Sequence, residues 1–391
     1  MDPLYITRIA VACSAGIGER ALLEALRSRR AGLSPCDFDT AALDAWIGRV
    51  PDASMQPLDG DLARFDCRNN RLAALGLSQD GFAQAVHGLR DRLGPARIGV
   101  FAGTSTSGIL QTELAYRRRD AEGRLPDDFD YARTHNNFSL AWLQQEMFGL
   151  SGPAAVVSTA CSSSAKALGN AARMIRAGFC DAAIVGGVDS LCLTTLYGFG
   201  SLGLLAPGPC RPFDARRDGI SIGEGAAFLL LEKSPSADAV GVLGIGESSD
   251  AYHMSSPHPE GLGAQMAMRA ALADAGLGAD AIDYVNLHGT GTQANDETEG
   301  RAVAAVFGEG VACSSTKGWT GHTLGACGAI EAAICVLALR HGFLPGSMHT
   351  RELDACAPAG YLVENEARAP AVVMSNAFGF GGTNCSLVLG R

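Results

Sequence analysis

Three observations predict an α/β protein of mostly parallel sheets covered by helices. Short apolar runs of strand length alternate along the chain with amphipathic stretches of helix length, the pattern of strands joined by helical crossovers. Hydrophobic residues make up 47% and charged residues only 18% of 391 positions, enough for a large buried core and too apolar for disorder. The alternation runs once in the N-terminal half and again in the C-terminal half. A chain of this length suggests two lobes or one compound fold.

The elements follow in order. ITRIAVAC reads as a first strand and ERALLEALRSRRAG as an amphipathic helix ended by Gly32. RIGVFAG (97–103) is a buried strand that runs into the small, polar loop TSTSG. AAVVSTA (154–160) is another, leading into SSSAKALGNAARMIRAG. In that helix Leu168, Ala172 and Ile175 share one face, with Gly178 as the C-terminal stop. AAIVGGV (182–188) and AAFLLLEK (226–233) complete the first half, and KSPSADA (233–239) is the best join. The second half gives VGVLGIGESS, the helix MAMRAALADAGL, the strand DYVNLHG (283–289) and the apolar helix GAIEAAICVLALRHG (328–342). VVMSNAFGF and NCSLVLG close it as strands.

Charge excludes several classes of partner. Lys and Arg total 31 against 41 Asp and Glu, a net charge of −10. No basic field exists for nucleic acid or an anionic membrane, so an acidic partner must be met by a local arginine cluster. The uncharged runs 190–210 and 371–390 are broken by Gly, Ser, Asn and Pro, so no membrane span is expected. The start MDPLYITRIA lacks the basic-then-apolar pattern of a signal peptide, and a cytoplasmic protein is expected. Twelve scattered cysteines without any C-x-x-C carry neither a zinc-ribbon nor a dithiol signature. Lysine is rare: Lys166, Lys233 and Lys317 stand against 28 arginines, which marks each as a candidate for a specific ammonium.

Two attractive motifs fail on context. Gly198-Phe-Gly-Ser-Leu-Gly203 fits a dinucleotide fingerprint, but Pro207 and Pro209 prevent the helix that must hold the pyrophosphate. Gly219-Ile-Ser-Ile-Gly223 fits a nucleophile elbow, yet charged residues precede it and a strand follows.

Cys161 has a different setting from the other eleven cysteines. An apolar strand ends there and a helix begins, so free amides and the helix dipole favour thiolate and can hold an oxyanion. His288 lies in NLHGTGT at the mouth of a buried strand, and His322 in KGWTGH just before a helix. NAFGFGGTN (376–384) is a glycine-rich loop able to bring amides close to a ligand. A lone histidine is usually structural, but two histidines in Gly/Thr turns with one helix-capping cysteine mark a candidate site.

STACSSSAKAL (158–168), PCRPFDARRDGISIGEGAA (209–227), DAYHMSSPHPEG (250–261), NLHGTGTQANDETE (286–299), STKGWTGHTLGACGAIEA (315–332) and NAFGFGGTNCSLV (376–388) closely resemble the β-ketoacyl-acyl carrier protein synthases. These are elongating, decarboxylating condensing enzymes of the thiolase fold. The resemblance covers nearly the whole chain. It implies a five-layered αβαβα fold of two related halves, here 1–238 and 239–391.

The resemblance also implies roles. Cys161 matches the nucleophile that takes an acyl chain from the carrier. His288 and His322 match the pair that supports loss of carbon dioxide from malonyl-carrier protein. Lys317 matches the lysine beside the second histidine, and Glu331 its acidic partner. The N–H groups of Cys161 and Phe380 match the oxyanion hole, with Phe380 as gate. Thr104, Gly108 and Phe378 are pocket candidates. Arg211, Arg216 and Arg217, then Arg68 and Arg71, are candidates for docking acyl carrier protein. The resemblance implies neither cofactor nor metal, and the chain is expected to pair with itself or with a chain-length-factor-like subunit.

Departures bear on the substrate. Lys166 stands where fatty-acid members commonly have His, and the opening strand lacks the usual Thr-Gly-x-Gly turn. CRNNRLAALGL (67–77) and KGWTGH resemble synthases of polyene pigments such as aryl polyenes. A degradative thiolase would need a second active cysteine in the C-terminal glycine loop, and Cys385 lies beyond its glycines. A silent chain-length factor would lack the nucleophile.

Overall fold

The structure is a computed structural model that describes residues 3–391. Its frame is an 11-stranded mixed sheet. The order across it is Ala312–Ser314, Tyr284–Asn286, Val372–Gly379, Thr383–Gly390, Val240–Ser249, Leu4–Cys13, Gly225–Glu232, Ala182–Asp189, Ile98–Gly103 and Ala154–Val157, with Gly16–Ile17 hung on the first strand. The predicted strands are present, but the expectation of mostly parallel pairing is corrected. Pairing is parallel at the two ends of the sheet and antiparallel through its middle. The cause lies in the connections: Thr383–Gly390 returns from Val372–Gly379 through a tight turn, and Gly225–Glu232 comes back antiparallel beside Ala182–Asp189 after the helix Leu193–Ser201.

Leu4–Cys13 joins the two half-sheets, pairing with Gly225–Glu232 on one side and Val240–Ser249 on the other. Two helices, Ser163–Arg176 and Cys327–His341, lie between the half-sheets, and each packs on strands of both. Outside them, Arg68–Leu77, Phe82–Leu93 and Ser139–Phe148 cover the N-terminal half-sheet, while Leu262–Ala275 and Gln293–Phe307 lie on the other side. That is the expected five-layered αβαβα arrangement.

The central layer explains the apolar helix near residue 335. Cys327–Leu339 is buried on every side, because a helix sandwiched between two sheets has no polar face to keep. Leu324–His341 has the length and hydropathy of a membrane span, but 89% of it is buried inside the protein. The first helix ends earlier than predicted, at Ser28, where Arg29 takes the left-handed conformation at φ 53° instead of Gly32. Gly178 does close Ser163–Arg176, at φ 79°.

Candidate active site

The parallel strands Ala154–Val157, Ile98–Gly103 and Ala182–Asp189 all end on the same side of the sheet. The first runs through Thr159 and Ala160 to Cys161, two residues before the helix Ser163–Arg176. Ala160 takes φ 50°, a left-handed turn costing about 1 kcal/mol that swings Cys161 out of the strand direction. Ser162 bonds to Thr383 at 3.0 Å, which ties the turn to the glycine-rich loop.

His322 is brought over Cys161 by its own backbone. Its N–H donates to Ser221 (2.7 Å) and its carbonyl accepts from Gly223 (2.9 Å). The segment GISIG is therefore structural. Ser221 is fully buried and accepts from Cys210 N–H, and it is no nucleophile. Nε2 of His322 stands 3.0 Å from Cys161 Sγ. His288 follows the strand Tyr284–Asn286, and its ring lies 5.3 Å from that of His322 at 82°. Glu299 holds it there, accepting the N–H of His288 at 2.8 Å and of Gly289 at 2.7 Å.

Lys317 and Glu331 form an ion pair at 2.5 Å, with side chains 1% and 3% exposed. The lysine also donates to the His288 carbonyl and lies 3.4 Å from His288 Nδ1. Burial is the largest influence on its charge and works against it. The Glu331 carboxylate together with Cys327 and Glu299 more than offsets burial and keeps it protonated, while the same burial pushes Glu331 itself up to about 7. An ammonium facing Nδ1 makes that nitrogen the acceptor and leaves the His288 proton on Nε2. His322 Nδ1 has no partner, so neither tautomer of that ring is fixed.

Electrostatics corrects one expectation. Burial pushes the Cys161 thiol up to about 11, while Lys317 and the Phe380 N–H directed at the sulfur pull only part of the way back. The resting group is therefore a thiol facing His322, not the thiolate expected from a helix start. Burial, then the Lys317 charge, drives both imidazoles well below the ordinary histidine value, so both are neutral.

A cavity of about 330 Å³ opens onto these groups, lined among others by Cys161, His288, His322, Phe199, Phe378 and Phe380. Phe380 is 38% exposed and its ring lies 5.8 Å from Phe199 across the mouth. Phe378 packs 6.0 Å from the His288 ring. The sulfur and the two imidazoles come within 4.8 Å of one another, a donor set that zinc could use. Lys317 opposes it, because the tautomer it imposes leaves His288 Nε2 without a free lone pair.

Several candidates fall elsewhere. Thr104 is fully buried and donates to Asp189 at 2.8 Å, and a Cβ on Gly108 would lie 2.1 Å from the Thr134 carbonyl. Neither lines the cavity, because the 104–108 loop folds back on the sheet end. Arg217 is wholly enclosed by Asp354 (2.9 Å), Asp296 (3.6 Å) and Glu297 (3.7 Å). Arg68 is bound to buried Glu224 and to Asp52, Arg71 to Asp66, and Arg211 to Asp218 at 2.6 Å. Of the five, Arg216 alone is exposed and without an ion pair among the described residues. Lys166 turns away from the cavity to Glu247 at 3.6 Å. The glycine-spaced segment at 198–203 overlaps the helix Leu193–Ser201, so it forms no phosphate loop.

Sequence reasoning missed Glu299 and Asp189. Glu299 closes the NLHGTGTQANDETE motif, and an acid at a buried helix position eleven residues after the histidine was the available signal. Asp189 had none, since it acts across 136 residues on Gly325.

The same architecture recurs among known proteins. Residues 1–237 match the family "Beta-ketoacyl synthase, N-terminal domain" and residues 240–351 "Beta-ketoacyl synthase, C-terminal domain". Nodulation protein E of Rhizobium meliloti (strain 1021) is 35% identical over 403 aligned positions, 98% of each chain. The 3-oxoacyl-[acyl-carrier-protein] synthase 2 of Vibrio cholerae is 36% identical over 80% of this chain and 82% of its own. Among solved structures, the ketosynthase ApeO in complex with its chain length factor ApeC, from Xenorhabdus doucetiae, superposes with a TM-score of 0.92. It is 38% identical and covers 100% of this chain and 98% of that one.

Proposed function

The chain belongs to the β-ketoacyl synthase family, and from that premise we propose which residues carry its decarboxylative condensation. Cys161 attacks the thioester of an acyl group on acyl carrier protein. Its proton passes to His322 Nε2 and then to the departing carrier thiol. Malonyl-carrier protein follows into the cavity, where loss of carbon dioxide leaves an enolate. His288 stabilises that oxyanion through the Nε2–H that Lys317 maintains. His322 joins it as a donor, because its unpartnered Nδ1 lets the ring proton move to Nε2. The enolate carbon then bonds to the acyl carbon, the C–S bond to Cys161 breaks, and a chain longer by two carbons leaves on the carrier. The N–H groups of Cys161 and Phe380 form the oxyanion hole for the tetrahedral intermediates, and Glu331 keeps Lys317 in place. The N-terminal half, 1–238, supplies the nucleophile and the C-terminal half, 239–391, the histidines.

The 3.0 Å contact between Cys161 Sγ and His322 Nε2 carries this reading. Intact-mass analysis with acyl- and malonyl-carrier protein tests it. An acyl adduct on Cys161 and a carrier product longer by two carbons are expected; an adduct on another residue overturns the assignment.

The neutral histidines give a pH signature. A ring titrating at the ordinary histidine value would lose about half its basic form at pH 6.5. Both folded-state values lie well below that point, so the basic form persists as pH falls through it. The rate of Cys161 acylation should be flat from pH 8 to 6.5, measured by quenched-flow mass spectrometry.

The buried arginine revises the docking proposal. Arg216 remains a contact for the acidic carrier, joined by Arg351. Both are exposed, and their backbone N–H groups meet on the Asp214 carboxylate at 2.9 and 2.7 Å. Arg216→Glu should raise KM for carrier-bound substrate about five-fold, the equivalent of about 1 kcal/mol, and leave a carrier-free thioester unaffected. Arg217→Glu should instead cost about 3–5 kcal/mol of stability by adding an acid to a buried acidic cage, read as a lowered Tm.

For the assembly, an edge strand supports pairing with a related chain. Ala154–Val157 bonds to Ile98–Gly103 on one side only, and all four residues are half-buried, an apolar edge that would otherwise invite aggregation. A chain-length-factor-like partner in a polyene pathway is the favoured form, given the ApeO resemblance. The twelve free thiols fit a reducing compartment, and the cytoplasm is the proposed location.

A further inference from the structure

The last residue of the strand Ala182–Asp189 is a fully buried carboxylate that forms no ion pair among the described residues. One oxygen accepts from Thr104 Oγ1 (2.8 Å), Ser105 N (2.8 Å), Thr106 N (2.7 Å) and Thr106 Oγ1 (2.7 Å). The other accepts from Ser105 Oγ at 2.6 Å and from Gly325 N at 2.5 Å. Such a group survives burial because donors replace water on both oxygens.

Its position is as informative as its bonds. Gly325 belongs to the short turn Leu324–Ala326 that directly follows His322 and Thr323. Leu324 is held at φ 51°, a strained conformation that persists only where the surroundings over-determine it. A Cβ on Gly325 would lie 2.8 Å from the Asp189 carboxylate, 3.0 Å from Ser105 N and 3.2 Å from Ser163 Oγ. Ser163 opens the helix that starts two residues after Cys161. The 104–106 loop and the His322 turn therefore meet at one carboxylate, with Ser163 of the helix that follows Cys161 packed against Gly325.

We propose that Asp189 is a positioning residue that sets the distance between Cys161 and His322. It anchors the His322 turn to the same sheet end from which the nucleophile turn emerges, and it touches no reacting atom itself. The inference rests on the pairing of Cys161 with His322 proposed above. Asparagine at 189 is nearly isosteric but offers one acceptor oxygen, and its NH₂ would face N–H donors. The His322 turn would then be released while the strand stays in place.

The test is the rate at which iodoacetamide alkylates Cys161, followed by intact mass at pH 7. It compares wild type, Asp189→Asn, His322→Ala and the double variant. His322→Ala is expected to slow alkylation about ten-fold, and Asp189→Asn to slow it several-fold in the wild type but less than about two-fold without His322. Equal slowing in both backgrounds, or none in the wild type, overturns the positioning role. An unchanged rate in His322→Ala alone overturns the Cys161–His322 pairing itself, and this inference with it. Ser105→Ala, a milder cut in the same cluster, should give a smaller effect with the same dependence on His322; slowing that does not depend on His322 counts against the role even if Asp189→Asn folds poorly. Asp283→Asn is the control. It too accepts two backbone N–H groups, at 2.7 and 3.0 Å, at the start of the strand Tyr284–Asn286. It should lower Tm and leave the alkylation rate alone; a slowed rate there would show that any loss of stability suffices.

Discussion

Cys161→Ala is expected to remove condensation entirely, by on the order of 10⁴-fold or more, while carbon dioxide is still released from malonyl-carrier protein. The sulfur is the one thiol lining the cavity, and it faces the His322 base that would activate it to hold the acyl chain while the second substrate enters. None of the other eleven thiols lines that cavity. The enolate-stabilising groups stay in place, because Lys317, Glu331 and Glu299 hold His288 without help from the sulfur. Radiolabelled acyl-carrier protein should leave no label on the variant, and trapped carbon dioxide should continue to appear. Stoichiometric labelling of Cys161→Ala would sink the assignment.

Replacing His288 by alanine should have the opposite signature. The enolate oxygen loses its fixed N–H donor, worth about 3 kcal/mol or roughly 10²–10³ in rate, while Cys161 still faces His322 and still accepts an acyl group. His322→Ala should impair both half-reactions, since that ring serves the thiol first and the enolate afterwards. Separate assays of acylation and decarboxylation distinguish the two. Loss of acylation with decarboxylation intact in His288→Ala would reverse the roles.

What was legible in the sequence divides by the range of the interaction. The buried strands and the central helices announce themselves through apolar runs of the right length, as in AAFLLLEK and GAIEAAICVLALRHG. Cys161, His288 and His322 were visible because each sits in an unusual local setting of small residues at a strand or helix end. Pairing direction was not visible, since whether a strand returns beside its predecessor depends on the whole sheet. The arginines failed for a related reason. RPFDARRDG looks like a basic surface loop, but Asp296, Glu297 and Asp354 come from more than 75 residues away to enclose Arg217. Likewise the thiolate expected from a helix start ignored how deeply the fold would bury the sulfur.

Leu4–Cys13, the strand shared by both half-sheets, has a consequence for synthesis on the ribosome. Apart from the short strand Gly16–Ile17, its partners lie at 225–232 and 240–242, so it waits for most of the N-terminal half to be made before it is paired. At about 5–20 residues per second the delay is roughly 10–50 s. Throughout that time an almost wholly apolar segment must be kept from other chains, and the N-terminal half cannot close its sheet on its own until Gly225–Glu232 emerges. A fold dominated by such distant pairings is slow to form. The nascent chain therefore depends on shielding of this strand well before any catalytic group has been assembled.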